Sequence, residues 1–288
     1  MTRRAKKLAP PAIRQLPVAI PPVLRETVAS YTRRLAAANH VQTIDLYEAW
    51  GIRPFGYVER HLTSDQLAKA SGYPAWKLEA ALPELTKRRP RDWVSYDCPR
   101  CSQRLSSGPM HRFYPSDRPF CVPHRMWLGY AGAVDVSLVA AIRSASRRHR
   151  RLIAGFGAKD TDAAFSLARS IHYGEEDNFV YGERAEILDL LRPGKDRIPL
   201  HDPALAAASY PRLVRTCGFL LSPYWRRMAQ TEKGQQRFFP EFGKHCLGIP
   251  DYQPEDPSAI GDWVAREAAK FRTRQVAQPP AATESRLT

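Results

Sequence analysis

The sequence predicts a mainly α protein: an N-terminal helical domain with a helix-turn-helix-like unit, a small cysteine-bearing β-hairpin, and a C-terminal helical domain. Three observations carry the prediction. Apolar residues recur at spacings of three and four along several stretches, a set of capping residues frames one pair of short helices, and two knuckles with two-residue gaps follow short aromatic, β-branched runs. With 288 residues, 43% of them hydrophobic, the chain is long enough for about two domains with packed cores.

Residues 1–22, MTRRAKKLAPPAIRQLPVAIPP, read as a basic, proline-rich arm, because Pro10, Pro11, Pro17, Pro21 and Pro22 interrupt any apolar run of the kind a signal peptide needs. Residues 23–92 read as the first helical domain. Between Val23 and Asn39 the apolar positions Val28, Tyr31, Leu35 and Ala38 form one stripe, with Arg33 and Arg34 turned away. In LTSDQLAKASGYPAWKLEAAL, Thr63 and Gln66 have capping-box spacing, Leu62 and Leu67 are placed as a hydrophobic staple, and Gly72 sits where a helix-ending glycine belongs. Pro74 suits the first turn of a second short helix that Pro83 stops. Two helices turning at Gly72 have helix-turn-helix spacing. Read as a recognition helix, Pro74 to Leu82 presents Trp76, Lys77 and Glu79 to DNA, with Lys87, Arg88 and Arg89 adding charge just after it. The alternative is a plain helical hairpin that packs the small domain together.

Residues 93–130 hold the first knuckle, Cys98-Pro-Arg-Cys101, and the second, Cys121-Val-Pro-His124. A two-residue gap lets both donors of a knuckle turn to the same side, and a tetrahedral zinc ion takes four such sulfur and nitrogen ligands. One CxxC alone is shared with redox motifs, but two knuckles at this separation, behind the strand-like DWVSY and HRFYP, predict a zinc ribbon. The ligands are then Cys98, Cys101, Cys121 and His124, with His111 the nearby substitute. Four protein ligands close the shell, so one structural Zn²⁺ is expected, with no open position for a hydrolytic water. His245 and Cys246 pair with no other knuckle and are assigned no metal.

Residues 131–272 read as the C-terminal helical domain. Leu138, Ile142, Ala145, His149 and Leu152 form an apolar stripe, with His149 read as a hydrogen-bonded core histidine. Arg143, Arg147, Arg150 and Arg151 fall on the opposite side, where they either meet phosphates or form a solvated face. Gly174 to Asp202 reads as a loop. A helix is predicted from near Pro211, with Leu213, Val214, Cys217, Leu220 and Leu221 on one face and Cys217 in the core, and Ser222-Pro223 opens another that carries Trp225 and Met228. Residues 273–288 read as a disordered tail.

The chain carries 44 Lys+Arg against 29 Asp+Glu, a formal charge of +15. Such a field attracts polyanions, so double-stranded DNA is the expected partner and no small-molecule substrate is indicated. No apolar run has the roughly 18 residues of a spanning helix, and no membrane partner is expected. Five cysteines, an odd number, with no export signal visible, fit a reducing bacterial cytoplasm and an association with the nucleoid. No carboxylate cluster of the kind that holds two Mg²⁺ ions is evident, so an enzyme is not expected. A magnesium-dependent nuclease or transposase is the competing reading from that class, because distant carboxylates can converge.

The order of helix, hairpin and ribbon resembles the TniQ family, zinc-containing target-selection proteins of bacterial transposons. The residues that carry the resemblance are Glu26, Ser30, Arg34, Leu35 and Asn39 in ETVASYTRRLAAAN, then CPRC followed by CVPHRMWL with Leu128 four residues after His124. They cover roughly residues 15 to 155. The resemblance implies a helix-turn-helix and zinc-ribbon DNA-binding module that links a target site to an AAA+ ATPase of a transposition system. The chain departs from the family in lacking a second downstream CxxC and the glycine often found after the histidine, where it has Arg125. A free-standing DNA-binding transcriptional regulator is the alternative.

Overall fold

A computed structural model describes residues 14–52, 62–86, 93–103, 105, 108–174, 182–195, 197–255 and 257–277. The chain is mainly helical with two small antiparallel sheets, and it divides into two compact units, Met1–Ser137 with Pro199–Pro203 and Leu138–Ile198 with Ala204–Thr288. Among the described residues no helix is long and apolar enough to cross a membrane.

In the first unit, α1 (Val28–Ala38) begins where Thr27 Oγ1 accepts the Ser30 N–H at 3.0 Å. Val28, Tyr31 and Leu35 are buried and Arg33 is exposed, but Arg34 is not turned away: it is 1% exposed. The reason is a partner that helical spacing does not reveal. The Arg34 guanidinium grips the Glu26 carboxylate with both prongs, Nε to Oε1 at 2.8 Å and Nη2 to Oε2 at 2.9 Å, and Nη2 also donates to the Pro21 carbonyl at 3.0 Å. Ser30 Oγ donates to the same carboxylate at 2.9 Å, and the Val23 N–H at 3.2 Å. Asn39, at the other end of α1, brackets Val18 with a donor and an acceptor at 2.8 and 2.7 Å. Four of the five residues that carry the family resemblance around α1 thus do one job, which is to fasten the extended segment before the helix onto it.

The helix α2 (Thr43–Ala49), opened by a Gln42 and Asp45 capping box, has no counterpart among the sequence expectations. The hairpin follows as α3 (Ser64–Ser71) and α4 (Ala75–Ala81), with the Thr63–Gln66 capping box in place and Gly72 left-handed at φ 74°. A side chain there meets backbone strain, whereas the atom nearest to an added Cβ, Gln15 Nε2 at 2.4 Å, ends a flexible, exposed side chain that can move aside. Pro74 is the extended cap before α4 rather than its first turn, because its ψ of 143° carries the chain from the glycine into the helix. Leu62, Leu67, Leu78 and Leu82 join Val28, Tyr31 and Leu35 in one core.

The ribbon is built from β1 (Trp93–Asp97), α5 (Pro99–Ser102), β2 (His111–Pro115), β3 (Phe120–Cys121), β4 (Met126–Gly129) and β5 (Gly132–Asp135). β1 and β2 pair from Trp93 opposite Pro115 to Asp97 opposite His111, and β3, β4 and β5 form a meander that extends the ribbon beyond residue 130. Residues 25–27 run along the other edge of β2, with the Phe113 N–H donating to the Arg25 carbonyl at 2.8 Å and Thr27 N–H to the His111 carbonyl at 3.1 Å. The His111 N–H also donates to Ser30 Oγ at 3.0 Å, and Glu84 Oε2 accepts the Val28 N–H at 2.6 Å. The start of α1 is therefore the joint at which arm, hairpin and ribbon meet.

In the second unit, α6 (Ala140–Phe156) buries Ile142, Ala145 and His149, while Leu138 lies before the helix and is exposed. His149 Nδ1 lies 3.0 Å from the Tyr210 hydroxyl, and its ring stacks on Phe165. After α7 (Ala158–Gly174), α8 (Glu183–Leu191) occupies part of the stretch expected to be loop, with Ile187, Leu188 and Leu191 as its buried face. The next helix, α9 (Pro203–Leu221), starts eight residues before Pro211 and runs through it. Its buried face continues from Ala204, Ala207 and Ala208 to Val214, Cys217 and Leu221, so packing on both sides of the proline outweighs the missing N–H. Ser222 stands at the N-cap position of α10 (Pro223–Ala229) without a side-chain hydrogen bond to it, Pro223 lies in the first turn, and α11 (Glu232–Phe242) and α12 (Ala259–Ala277) follow. α12 overruns by a turn the point where the disordered tail was expected to begin.

Candidate metal centre

The first knuckle forms because Cys98 precedes the helical turn α5. Pro99 fixes the entry, and the Cys101 and Ser102 N–H groups bond back to the Cys98 carbonyl at 2.9 and 3.0 Å. The second knuckle is the loop between β3 and β4, since Cys121 pairs with Met126 across the hairpin and His124 sits in the four residues between them. The two knuckles bring Cys98, Cys101, Cys121 and His124 together with all four ligand atoms within 4.8 Å of one another. Cys101 Sγ lies 3.7 Å from Cys121 Sγ, and His124 Nδ1 lies 3.6, 3.2 and 3.6 Å from the sulfurs of Cys98, Cys101 and Cys121.

These separations suit the edges of a tetrahedron that could hold an ion. Metal–sulfur bonds of about 2.3 Å and metal–nitrogen bonds of about 2.0 Å place tetrahedral ligands ~3.8 Å apart for sulfur pairs and ~3.5 Å for sulfur and nitrogen. The four residues could hold a metal ion with only small adjustments. Without one, burial first, then the neighbouring Cys121 and Cys98, push the Cys101 thiol pKa up to about 12, so binding must expel protons and weakens as the pH falls. His111, the substitute ligand that the sequence offers, pairs with Asp97 in the sheet and is not in the cluster.

Braces around the cluster come from residues that the sequence does not single out. Arg100, inside the first knuckle, donates from Nη1 to the His124 carbonyl at 3.1 Å and from Nη2 to Asp135 at 2.5 Å, tying both knuckles to β5. Ser102 Oγ donates to Asp97 and accepts the Met110 N–H, closing the loop below α5. No sequence signal pairs Arg100 with an acid thirty-five residues away.

Arg125, which follows the histidine of the second knuckle, is left-handed at φ 54°. A non-glycine residue there costs about 1–2 kcal/mol. Arg125→Gly is therefore expected to leave folding of the metal-loaded protein intact and to raise its stability by up to about 1 kcal/mol, once the greater freedom of glycine in the unfolded chain is subtracted. Arg125→Val should lower it. Urea unfolding checks the pair; a glycine variant less stable than the valine variant would refute this account of the loop.

The residues expected to contact DNA are placed differently from one another. Trp76 is 64% exposed on α4, with the Lys77 ammonium 5.5 Å from its ring, but Glu79 Oε1 accepts the Ser64 hydroxyl at 2.7 Å and so braces α4 against α3. Lys87, Arg88 and Arg89 lie outside the described residues. On α6, Arg143 is half-buried, whereas Arg147, Arg150 and Arg151 are exposed and line, with Ser144 and Ala154, a shallow hollow of about 610 Å³. None of these four arginines forms an ion pair among the described residues, and the sequence has no acidic residue between Asp135 and Asp160.

Fold and site together define a mainly helical protein whose N-terminal unit carries a Cys3His cluster that could hold a metal ion. The chain matches no protein-family model, no curated protein and no solved structure at a significant level.

Proposed function

We propose that the protein is a zinc-containing DNA-binding adaptor of the TniQ type, linking a DNA target to an AAA+ ATPase in transposition. The observation that carries the DNA-binding part is the unneutralised guanidinium face of α6, a stripe of charge with no carboxylate on its own helix. Zinc is the ion that best suits three thiolates and one imidazole in a closed tetrahedron. Its part is to hold the ribbon together, and the chain's own residues then present the surfaces. The exposed Trp76 and Lys77 on the second helix of a capped hairpin support a recognition role for α4. The adaptor role rests on the resemblance, whose residues Glu26, Ser30, Arg34 and Asn39 form one fastening network here.

Replacing Arg147 and Arg150 by Gln is expected to weaken binding by a similar factor on every duplex and to flatten the dependence of log affinity on log salt by about 0.9 for each phosphate no longer neutralised. Fluorescence anisotropy over a salt series reads both quantities. Unchanged slope and affinity would make the stripe a solvated face. Lys77→Ala should instead change the preference among sequences if α4 reads base edges.

The adaptor reading further expects the protein to co-purify with an AAA+ ATPase encoded beside it when DNA and nucleotide are present. Absence of any complex under those conditions favours the transcriptional regulator. A magnesium-dependent cleavage assay addresses the nuclease reading, where products that disappear with EDTA would displace the adaptor proposal.

A further inference from the structure

Three further arginines, none on α6 and none in the hairpin, are gathered by the ribbon sheet. Residues 24–26 lie along β2, where Glu26 bridges to Arg112 and the Arg112 Nε donates to the Leu24 carbonyl at 3.0 Å, so Arg25 and Arg112 are neighbours. Arg25 is held left-handed at φ 65°, and its guanidinium lies 4.6 Å from the centroid of the Trp93 ring. Trp93 stands opposite Pro115 in the sheet, and the turn that follows closes with the Arg118 N–H on the Pro115 carbonyl at 3.0 Å, which brings Arg118 to the same end. Arg118 Nη1 is buried there with no hydrogen-bond partner among the described residues. None of the three forms an ion pair among those residues. The Arg25 charge is disfavoured by burial first and then by Arg112 and Arg118, whose charges both reach it.

Gathering like charges and burying a guanidinium donor both cost free energy, and an oxyanion relieves both costs at once. Guanidinium groups match phosphate in geometry as well as charge, and Trp93 beneath Arg25 restricts that side chain to one presentation. We propose that Arg25, seated on Trp93, forms a phosphate-binding site together with Arg112 and Arg118. The DNA-binding reading supplies one source, a backbone phosphodiester; a free polyphosphate is the other.

Arginine modification by phenylglyoxal, mapped by peptide mass on the unaltered zinc-loaded protein, tests this without a variant that could fail to fold. Two protectants are compared, inorganic pyrophosphate and a short DNA duplex, each against sodium chloride at matched ionic strength. Protection of Arg25, Arg112 and Arg118 by at least about threefold with pyrophosphate is expected, and protection by the duplex as well assigns the site to nucleic acid. Protection by pyrophosphate alone keeps the site and removes the backbone as its source. Protection of the α6 arginines by duplex, with the triad reacting as in salt under both protectants, overturns the site and leaves the DNA-binding reading standing. Equal reactivity throughout overturns both.

Discussion

Cys98→Ser and Cys121→Ser are expected to lose the bound metal and the local structure of the ribbon. Both cysteines are 1% exposed, and the cluster is also the ribbon's apolar centre, shared with Tyr114, Met126 and Leu128. A serine leaves three donors and a poorly matched hydroxyl, which do not close the tetrahedron. Because a closed structural site contributes its binding free energy to folding, on the order of 10 kcal/mol for zinc, loss of the ion should melt β1 to β5 while the second unit keeps its helices. Metal content by elemental analysis and amide exchange across residues 93–135 read the two effects. A variant that retains one metal per chain and full exchange protection would show that the thiol is not a ligand.

Arg34→Met is expected to cost about 3–5 kcal/mol, the range seen when one partner of a buried ion pair is removed. The carboxylate of Glu26 is fully buried, and Arg34 supplies its cation, so the deletion strands a charge at the joint between arm, helix and ribbon. Arg34→Met combined with Glu26→Gln should recover a large part of the loss, since no buried charge is then left. Denaturant unfolding of the two single variants and the double variant measures the coupling. Additive losses would mean that the pair does not act as one unit.

The metal site is legible in the sequence because its signal is local: two knuckles, each fixed by a two-residue gap, need only a hairpin to meet. The same holds for the Thr63–Gln66 box and Gly72, whose meaning depends on neighbours in the chain. Arg34 is not legible in this way, because its partner is eight residues away on the segment before the helix, and helical spacing assigns a face without saying what covers it. Pro211 misleads in the opposite direction: the proline reads locally as the start of a helix, yet buried alanines before it and buried apolar residues after it carry α9 through. The Arg25, Arg112 and Arg118 cluster has no sequence signal at all. Its members come from the turn before α1, a strand and a second turn, and only the edge pairing with β2 brings them together.

The central claim is that a metal-braced protein grips the DNA backbone, and equilibrium binding of the zinc-loaded chain to a labelled duplex, followed from about 50 to 200 mM salt, tests it most directly. With several phosphates neutralised, log affinity should fall linearly with log salt and the affinity should drop by orders of magnitude across that range. A protein that carries its zinc and folds, yet binds no duplex at the lowest salt or binds with no salt dependence, would contradict the account.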